Sequence, residues 1–238
     1  MKGSYTYDYP RPSLTVDIAV ISLASGKLEL LLIERRDPPF AGSWALPGGF
    51  VDVLDEGSQG EDLIEAAARE LEEETGLIAQ RDGVYLEQLY TFGTPGRDPR
   101  GRVVSVVYFA LVNRDLRARV VAGDDASDAE WYDLQTLADG HGPKLAFDHQ
   151  QIVEMVLERI RGKVDWAPEI AAGLVPPHFT RSELRRVYEV IKGQPQDRSN
   201  FAKRFKRMLD DGVFERVEGS TRELPGAGRP PQLYAFVG

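Results

Sequence analysis

Glu70, Glu73 and Glu74 lie close together in the run Arg69-Glu70-Leu71-Glu72-Glu73-Glu74-Thr75-Gly76. At about 100° per residue, a helix would bring these three carboxylates within an arc of ~100° and turn Glu72 away. Arg69, four residues before Glu73, is close enough to pair with it or to steer its neighbours. Leu63, Ala67 and Leu71 recur at i, i+4 and i+8 as the stripe that would dock such a helix on a sheet. Three converging carboxylates repel one another unless a hard divalent cation sits among them. Mg²⁺ or Mn²⁺ takes oxygen ligands and leaves positions for water and phosphate oxygens, so it can bridge a diphosphate and activate a water. On these residues alone, a solvated acidic helix face accounts for the cluster equally well.

The elements that must position this helix are legible on either side of it. Residues 14–23 alternate apolar positions in a strand-like way, residues 28–34 form a second strand-like run, and Ser25-Gly26 between them reads as a turn. Residues 40–49 are rich in Gly and Pro and read as a loop ending in Gly48-Gly49. The helix itself is expected over residues 61–74, stopped by Gly76. Strand character returns at 83–92 and 102–112, separated by a turn-rich segment; 127–137 is mixed. Residues 147–161 carry an amphipathic helix through Ile152, Met155, Val156 and Ile160. Residues 162–179 then hold Pro168, Pro176 and Pro177 with little periodicity. The expected organisation is a first domain over 1–161, a linker over 162–176 and a second domain over 177–238. A strand-and-helix mixture of this kind argues for an α/β or α+β architecture in the first domain.

Composition narrows the chemistry. The 238 residues contain no cysteine, which excludes disulfides, thiolate metal sites and a cysteine nucleophile. The longest mostly apolar run, residues 103–113, falls short of the ~20 residues of a membrane helix, and the first residues lack the apolar core of a signal peptide. A soluble cytoplasmic protein is expected. The net charge of −9 is unevenly spread: from residue 177 onward Lys and Arg number 12 against 8 Asp and Glu, so the preceding residues carry −13. His141, His149 and His178 have no ligand spacing, and structural or solvent roles are expected for them.

The positions Gly49, Glu61, Arg69, Glu70, Leu71, Glu73, Glu74, Gly76 and Leu77 resemble the Nudix box in type and order. The resemblance implies a Nudix α/β/α sandwich with a mixed sheet, and a ligand in which a nucleoside diphosphate is linked to another group. It also implies that Glu70, Glu73 and Glu74 hold Mg²⁺ or Mn²⁺ while Arg69 orients them, these four being the expected catalytic set. Eleven residues separate Gly49 from Glu61, six more than the family pattern, and they include Asp52, Asp55 and Glu56. Loops absorb such insertions cheaply in stability, whereas catalysis is sensitive to small displacements, so turnover is left open. Residues 43–49 and 91–101 look like the ADP-ribose pyrophosphatase-like branch. Arg35, Arg36, Arg97, Arg100 and Arg102 could then serve phosphates, and Phe40, Tyr90 or Phe92 could stack on adenine. Arg35 and Arg36 rank first because they end a strand just before the box loop. Taken singly, each of these side chains is equally a surface or core residue.

In the basic tail, Thr180 is placed to cap a helix over 181–192, and a second helix is expected over 200–210. On the second, Phe201, Phe205, Met208 and Leu209 form an inner stripe, while Asn200, Lys203, Arg204, Lys206 and Arg207 occupy the outer surface. That is the geometry of helix-turn-helix recognition, with cations for phosphates or guanine and Asn for adenine. Residues 214–217 and 233–237 read as strands flanking a wing that carries Arg222 and Arg229. A small oligomerisation module with solvated cations is the alternative, and DNA binding is placed ahead of it because the cations collect on the second helix and the wing. The whole pattern resembles the Nudix-related transcriptional regulator family (NrtR), through Phe179-Thr180, Glu183-Leu184, Val187-Tyr188-Glu189, Asn200-Phe201, Gly228-Arg229-Pro230, Leu233-Tyr234 and Phe236. Membership implies a dimeric repressor of NAD-metabolism genes that binds palindromic operators and is released by ADP-ribose or a related nucleotide. The alternative is a Mg²⁺-dependent ADP-ribose diphosphatase whose tail only dimerises or tethers it.

Overall fold

The computed structural model describes residues 8–53, 60–120, 126–221 and 231–237. Strands β1 (Ser13–Ala24) and β2 (Lys27–Arg35) are joined by Ser25 and Gly26, both at positive φ (51° and 77°). A two-residue turn of that hand matches the twist of paired strands. There follow β3 (Trp44–Ala45), β4 (Gly48–Phe50), α1 (Leu63–Thr75), α2 (Ala79–Asp82), β5 (Tyr85–Phe92), β6 (Val103–Val112), α3 (Arg114–Arg117), β7 (Ala126–Asp133), α4 (Leu134–Ala138) and α5 (His149–Lys163). The strand order is β3-β2-β1-β6-β5, with β4 beside β1 and β7 beside β2. Since β1 is parallel to β6 while the other pairs are antiparallel, the sheet is mixed.

Alternation along β1 sends its side chains into two cores. Val16, Ile18 and Val20 pack with Ala66, Ala67 and Leu71 of α1 on one face. Ala19 and Ile21 pack with Ile152, Val156 and Ile160 of α5 on the other. Burial on both faces explains why β1 and β6 are almost continuously apolar. The expected α/β/α sandwich is present, and the box helix α1 lies along one of its faces.

The segment expected as a linker is packed. Helix α6 (Pro168–Ala172) begins with Pro168 at its first turn, where a missing N–H costs nothing. Val164, Ala167, Ile170, Ala171, Leu174 and Val175 are all buried in the cluster that contains α5. Even a methyl group at Gly173 would fall 2.9 Å from Leu111 Cβ. The prolines masked a short helical period, and residues 162–176 therefore form a compact connection rather than a free tether.

Helices α7 (Arg181–Lys192) and α8 (Arg198–Asp210) and the hairpin β8 (Phe214–Thr221) and β9 (Gln232–Phe236) complete the chain. Thr180 and Glu183 cap α7 reciprocally, and Gly193 closes it in the left-handed region at φ 64°. Phe205 is the hub of this unit, meeting Phe214 at 5.7 Å and Tyr234 at 4.7 Å between ring centroids. Phe179 bridges to Tyr234 and packs on Phe214, so the chain entering α7 is tied to the hairpin at one point. The same apolar cluster runs unbroken from β1 and α5 through α6 into α7 and α8. Arg222 and Arg229, expected on the wing, lie outside the described residues, as do Asp55 and Glu56 of the box loop.

Candidate functional site

Helix α1 is fixed at both ends. Asp62 N–H donates to Glu65 at 3.1 Å, and Gly76, at φ 73°, closes the last turn onto the Glu72 carbonyl. Arg69 gathers the box. Its Nε and Nη2 donate to Glu61 at 3.1 and 2.7 Å, Nη1 donates to Glu70 at 2.7 Å and Glu73 at 3.1 Å, and Nη2 also reaches the Phe50 carbonyl. The hydrogen bond from Arg69 holds the Glu61 carboxyl below its ordinary range. Burial pushes Glu70 the other way, above that range, against the pull of Arg69. A methyl group at Gly49 would collide with the Glu70 carboxylate, which explains a glycine at that point of the box.

The loop insertion leaves this network intact because its neck is closed. Asp52 N–H donates to Glu61 Oε1 at 2.7 Å, and Glu61 N–H donates to the Asp52 carbonyl at 3.1 Å. Glu61 thus meets Arg69 whatever the length of chain between. The glutamates, however, do not compose a metal site as they stand. Arg69 lies between Glu70 and Glu73, Glu73 is mostly exposed and Glu74 half-buried, and no three acidic or histidine side chains among the described residues converge to hold an ion. The donor chemistry suits a hard cation; the arrangement does not yet fit one.

Beside the box, β1, the end of β2, β4 and the start of α5 enclose a cavity of about 200 Å³. Arg97 lines it but is almost wholly buried, forked onto Asp148 at 2.6 and 2.9 Å and 3.7 Å from Asp17. Although burial opposes its charge, Asp148 and Asp17 hold that charge firmly in place. Arg100 is paired with Asp98 at 2.7 Å and lies over the rings of Phe50 and Phe147. Arg35 differs from both: its Nε goes to the Pro39 carbonyl at 2.8 Å, its guanidinium lies over Phe147, and it has no carboxylate partner among the described residues. Burial, and then repulsion from Arg100, lowers its proton affinity. A half-buried guanidinium with no carboxylate bonded to it, facing a cavity, is suited to an oxyanion.

The remaining expected ligand residues stand elsewhere. Arg36 is half exposed on the surface near Asp37, and Phe40 sits behind the wall, edge-on to Phe147 at 4.8 Å. Arg102 caps the Gly93 carbonyl, and Tyr90 and Phe92 pack on each other away from the cavity. The sequence reading missed Phe147 and His149, both of which line the cavity. His149 accepts the Leu46 N–H on Nδ1 at 3.0 Å, and burial holds its imidazole below the ordinary value, hence neutral. Phe147 sits at φ 51°, a conformation that no local pattern signals.

On α8, Asn200, Lys203, Lys206 and Arg207 are exposed as expected, with Lys206 paired to Asp210 at 2.6 Å. Arg204 is not on that surface. It turns back across α7 to Asp165, just past α5, donating to the Asp165 carboxylate and carbonyl at 2.6 Å each and lying 4.4 Å from the centre of the Tyr188 ring. The sign was in the spacing, since residue 204 follows Phe201 by three and precedes Met208 by four, beside the buried stripe. Arg181, Ser182, Arg185 and Arg198 line a polar recess of about 300 Å³ where α7 and α8 begin, a cationic surface that a reading of α8 alone overlooks.

The chain thus joins a Nudix sandwich to a winged-helix unit, and known proteins show the same pair. The NUDIX domain family matches residues 13–156, and the NrtR DNA-binding winged helix domain matches residues 171–236. The ADPR responsive transcriptional repressor NtrR of Acinetobacter baylyi is 38% identical over 230 residues, covering 97% of this chain and 84% of that protein. The structure of Shewanella oneidensis NrtR with a 27mer DNA superposes with a TM-score of 0.74 at 31% identity, over 94% of this chain and 93% of that one. The NUDIX domain of the same protein with ADP ribose gives a TM-score of 0.54 at 34% identity, over 65% of this chain and 94% of that one. The chain belongs to the NrtR family.

Proposed function

We propose that the protein is a DNA-binding transcriptional repressor that is released by ADP-ribose, or a related nucleotide, bound in the Nudix cavity. The observation that carries the reading is helix α5. Its first residues, after Asp148 that holds Arg97, include His149 in the cavity wall; its far end leads directly to Asp165, which grips Arg204 of α8. Helix α5 and the short turn after it therefore connect the ligand cavity to the recognition helix. The ligand diphosphate goes to Arg35, with Phe147 beside it. Asn200, Lys203, Lys206 and Arg207 meet the operator, with Arg222 and Arg229 of the wing as further contacts. To release DNA, the ligand must bind the DNA-incompetent arrangement more tightly than the competent one.

The finer features follow the family. The protein acts as a homodimer on palindromic operators of NAD-metabolism genes in the cytoplasm; no helix among the described residues is long and apolar enough to cross a membrane. Glu70, Glu73 and Glu74 are the residues that would hold Mg²⁺ or Mn²⁺, a cation that would polarise a diphosphate; the arrangement around Arg69 does not fit it. The test is an anisotropy titration with DNA from upstream of NAD-biosynthesis and salvage genes, with and without ADP-ribose, hydrolysis in Mg²⁺ being followed on the same sample. Salt-sensitive binding relieved by ADP-ribose is expected, and Arg35→Gln should raise the ADP-ribose concentration needed by about tenfold or more. Brisk hydrolysis with no specific DNA binding would instead make the protein a diphosphatase.

A further inference from the structure

The cavity beside the Nudix box is not the largest in the molecule. A cleft of about 630 Å³ opens where the β1–β2 turn, α4 and α5 of the Nudix sandwich face α7 of the winged helix. Its size falls within the ~300–1,000 Å³ usual for small-molecule sites, which favour the seams between domains. Leu28, Leu157 and Val190 give it an apolar wall, and Lys27, Arg161 and Arg186 bring cations to it. In a protein of net charge −9 the pairing of those cations is informative. Lys27 is neutralised by Asp133 at 2.6 Å, and the carboxylate of Glu189 is taken by Arg185 at 2.8 Å. Arg161 is held only by neutral acceptors, the Ile191 carbonyl at 3.1 Å and the Gln135 side chain at 2.6 Å. Arg186 has no carboxylate partner among the described residues and reaches across the cleft, so that a methyl group at Gly26 would lie 2.9 Å from its Nη2.

We infer that this cleft is a second ligand site, separate from the Nudix cavity, which takes a phosphate-bearing small molecule of about mononucleotide size. The anion meets the guanidiniums of Arg186 and Arg161, whose charge no carboxylate cancels, and the apolar body lies against Leu157 and Val190. Arg161 is already oriented by its two neutral acceptors, so little side-chain freedom is lost when the anion arrives. A ligand seated here touches the Nudix sandwich and α7 together.

The inference stands apart from the repressor reading, because binding is measured on the full chain without DNA. Isothermal titration with AMP as the probe should show one weak site in the wild type. Arg186→Gln should weaken AMP at least about tenfold and Arg186→Lys should recover much of the loss, while Arg35→Gln in the Nudix cavity should change it less than about twofold. Inorganic phosphate, lacking an apolar body, should bind at least about tenfold more weakly than AMP. Equal AMP affinity in wild type and Arg186→Gln would overturn the site, as would a loss confined to Arg35→Gln or no detectable binding at millimolar AMP. Phosphate binding as tightly as AMP would overturn the role of the apolar wall. Arg186 is exposed and makes no structural hydrogen bond among the described residues, so its replacement leaves the fold standing.

Discussion

The Nudix cavity and the recognition helix both present clusters of cations, and they handle them in opposite ways. In the cavity, Arg97 and Arg100 are each forked onto a carboxylate, and Arg35 alone is left without one. On α8 the proportion is reversed: Lys203 and Arg207 are open to solvent, Lys206 pairs only with Asp210 on the exposed surface, and Arg204 alone is drawn inward onto Asp165. Arg97, almost wholly buried, needs its carboxylates to offset the cost of carrying a charge there, whereas Arg100 is partly exposed and Arg35, half-buried and without a bonded carboxylate, is the one suited to a ligand. An exposed cation has no such cost, so most helix cations are available for phosphate and the exception is structural. The partner of a charge together with the burial of the pair separates the two uses, since Lys206 and Asp210 pair at the exposed surface and leave Lys206 open to phosphate.

The largest effect should come from breaking the most buried pair. Arg97→Ala leaves Asp148 and Asp17 facing a low-dielectric cavity without their cation, and the expected loss in unfolding free energy is about 3 kcal/mol or more. Lys203→Ala, on the open helix, should move it by less than about 0.5 kcal/mol. Urea unfolding of both variants checks the contrast, which fails if Arg97→Ala costs no more than the surface change.

The next effect lies in DNA binding. Replacing Lys203 and Arg207 together by alanine should weaken operator affinity by about ten- to a hundredfold at physiological salt and flatten the slope of log K against log salt by roughly 2, one counterion release per lost phosphate contact. An unchanged slope would remove these residues from the interface. Arg204→Ala is expected to behave differently. It should cost about 1–2 kcal/mol in stability, modest because Asp165 is half exposed, and leave the salt slope as it is. A slope change equal to that of a Lys203 variant would return Arg204 to the DNA surface.

These contrasts also mark how far the sequence could be read. The box helix, the β1–β2 hairpin, the two helices of the tail and the exposed cations of α8 follow from periodicities of two and 3.6 and from turn residues, all of which act locally. The network of Arg69 was legible for the same reason, its partners Glu70 and Glu73 being one and four residues away. What escaped was decided by long-range packing. The inward side of Arg204 was readable beside the buried stripe, but its partner Asp165, like Asp148 for Arg97, lies at a separation that no local spacing encodes. Phe147 and His149 enter the cavity only because α5 begins at the sheet edge. The buried connection at 162–176 was hidden by prolines that read as breakers, although Pro168 sits at a helix start, where it is tolerated.

The smallest effect concerns His149, where the cavity keeps a titratable group neutral between charged neighbours: Asp17 from β1, Arg97 from the β5–β6 loop, Asp148 ahead of α5 and Arg35 at the end of β2. Burial is the dominant influence and lowers its folded pKa below the unfolded value of about 6.5. The unfolded chain therefore takes up a proton first as pH falls. The stability contributed by the neutral ring is complete above about pH 6.5 and is lost progressively below it, toward the folded pKa. His149→Asn keeps an acceptor near the position of Nδ1 for the Leu46 N–H but cannot titrate. The wild-type urea midpoint should fall between pH 7.5 and 5.5 by more than that of the variant. Parallel pH profiles for the two proteins would mean that burial does not lower the proton affinity of the ring in the folded state, and a wild-type midpoint that falls less than the variant's would mean that the carboxylates of Asp17 and Asp148 outweigh burial.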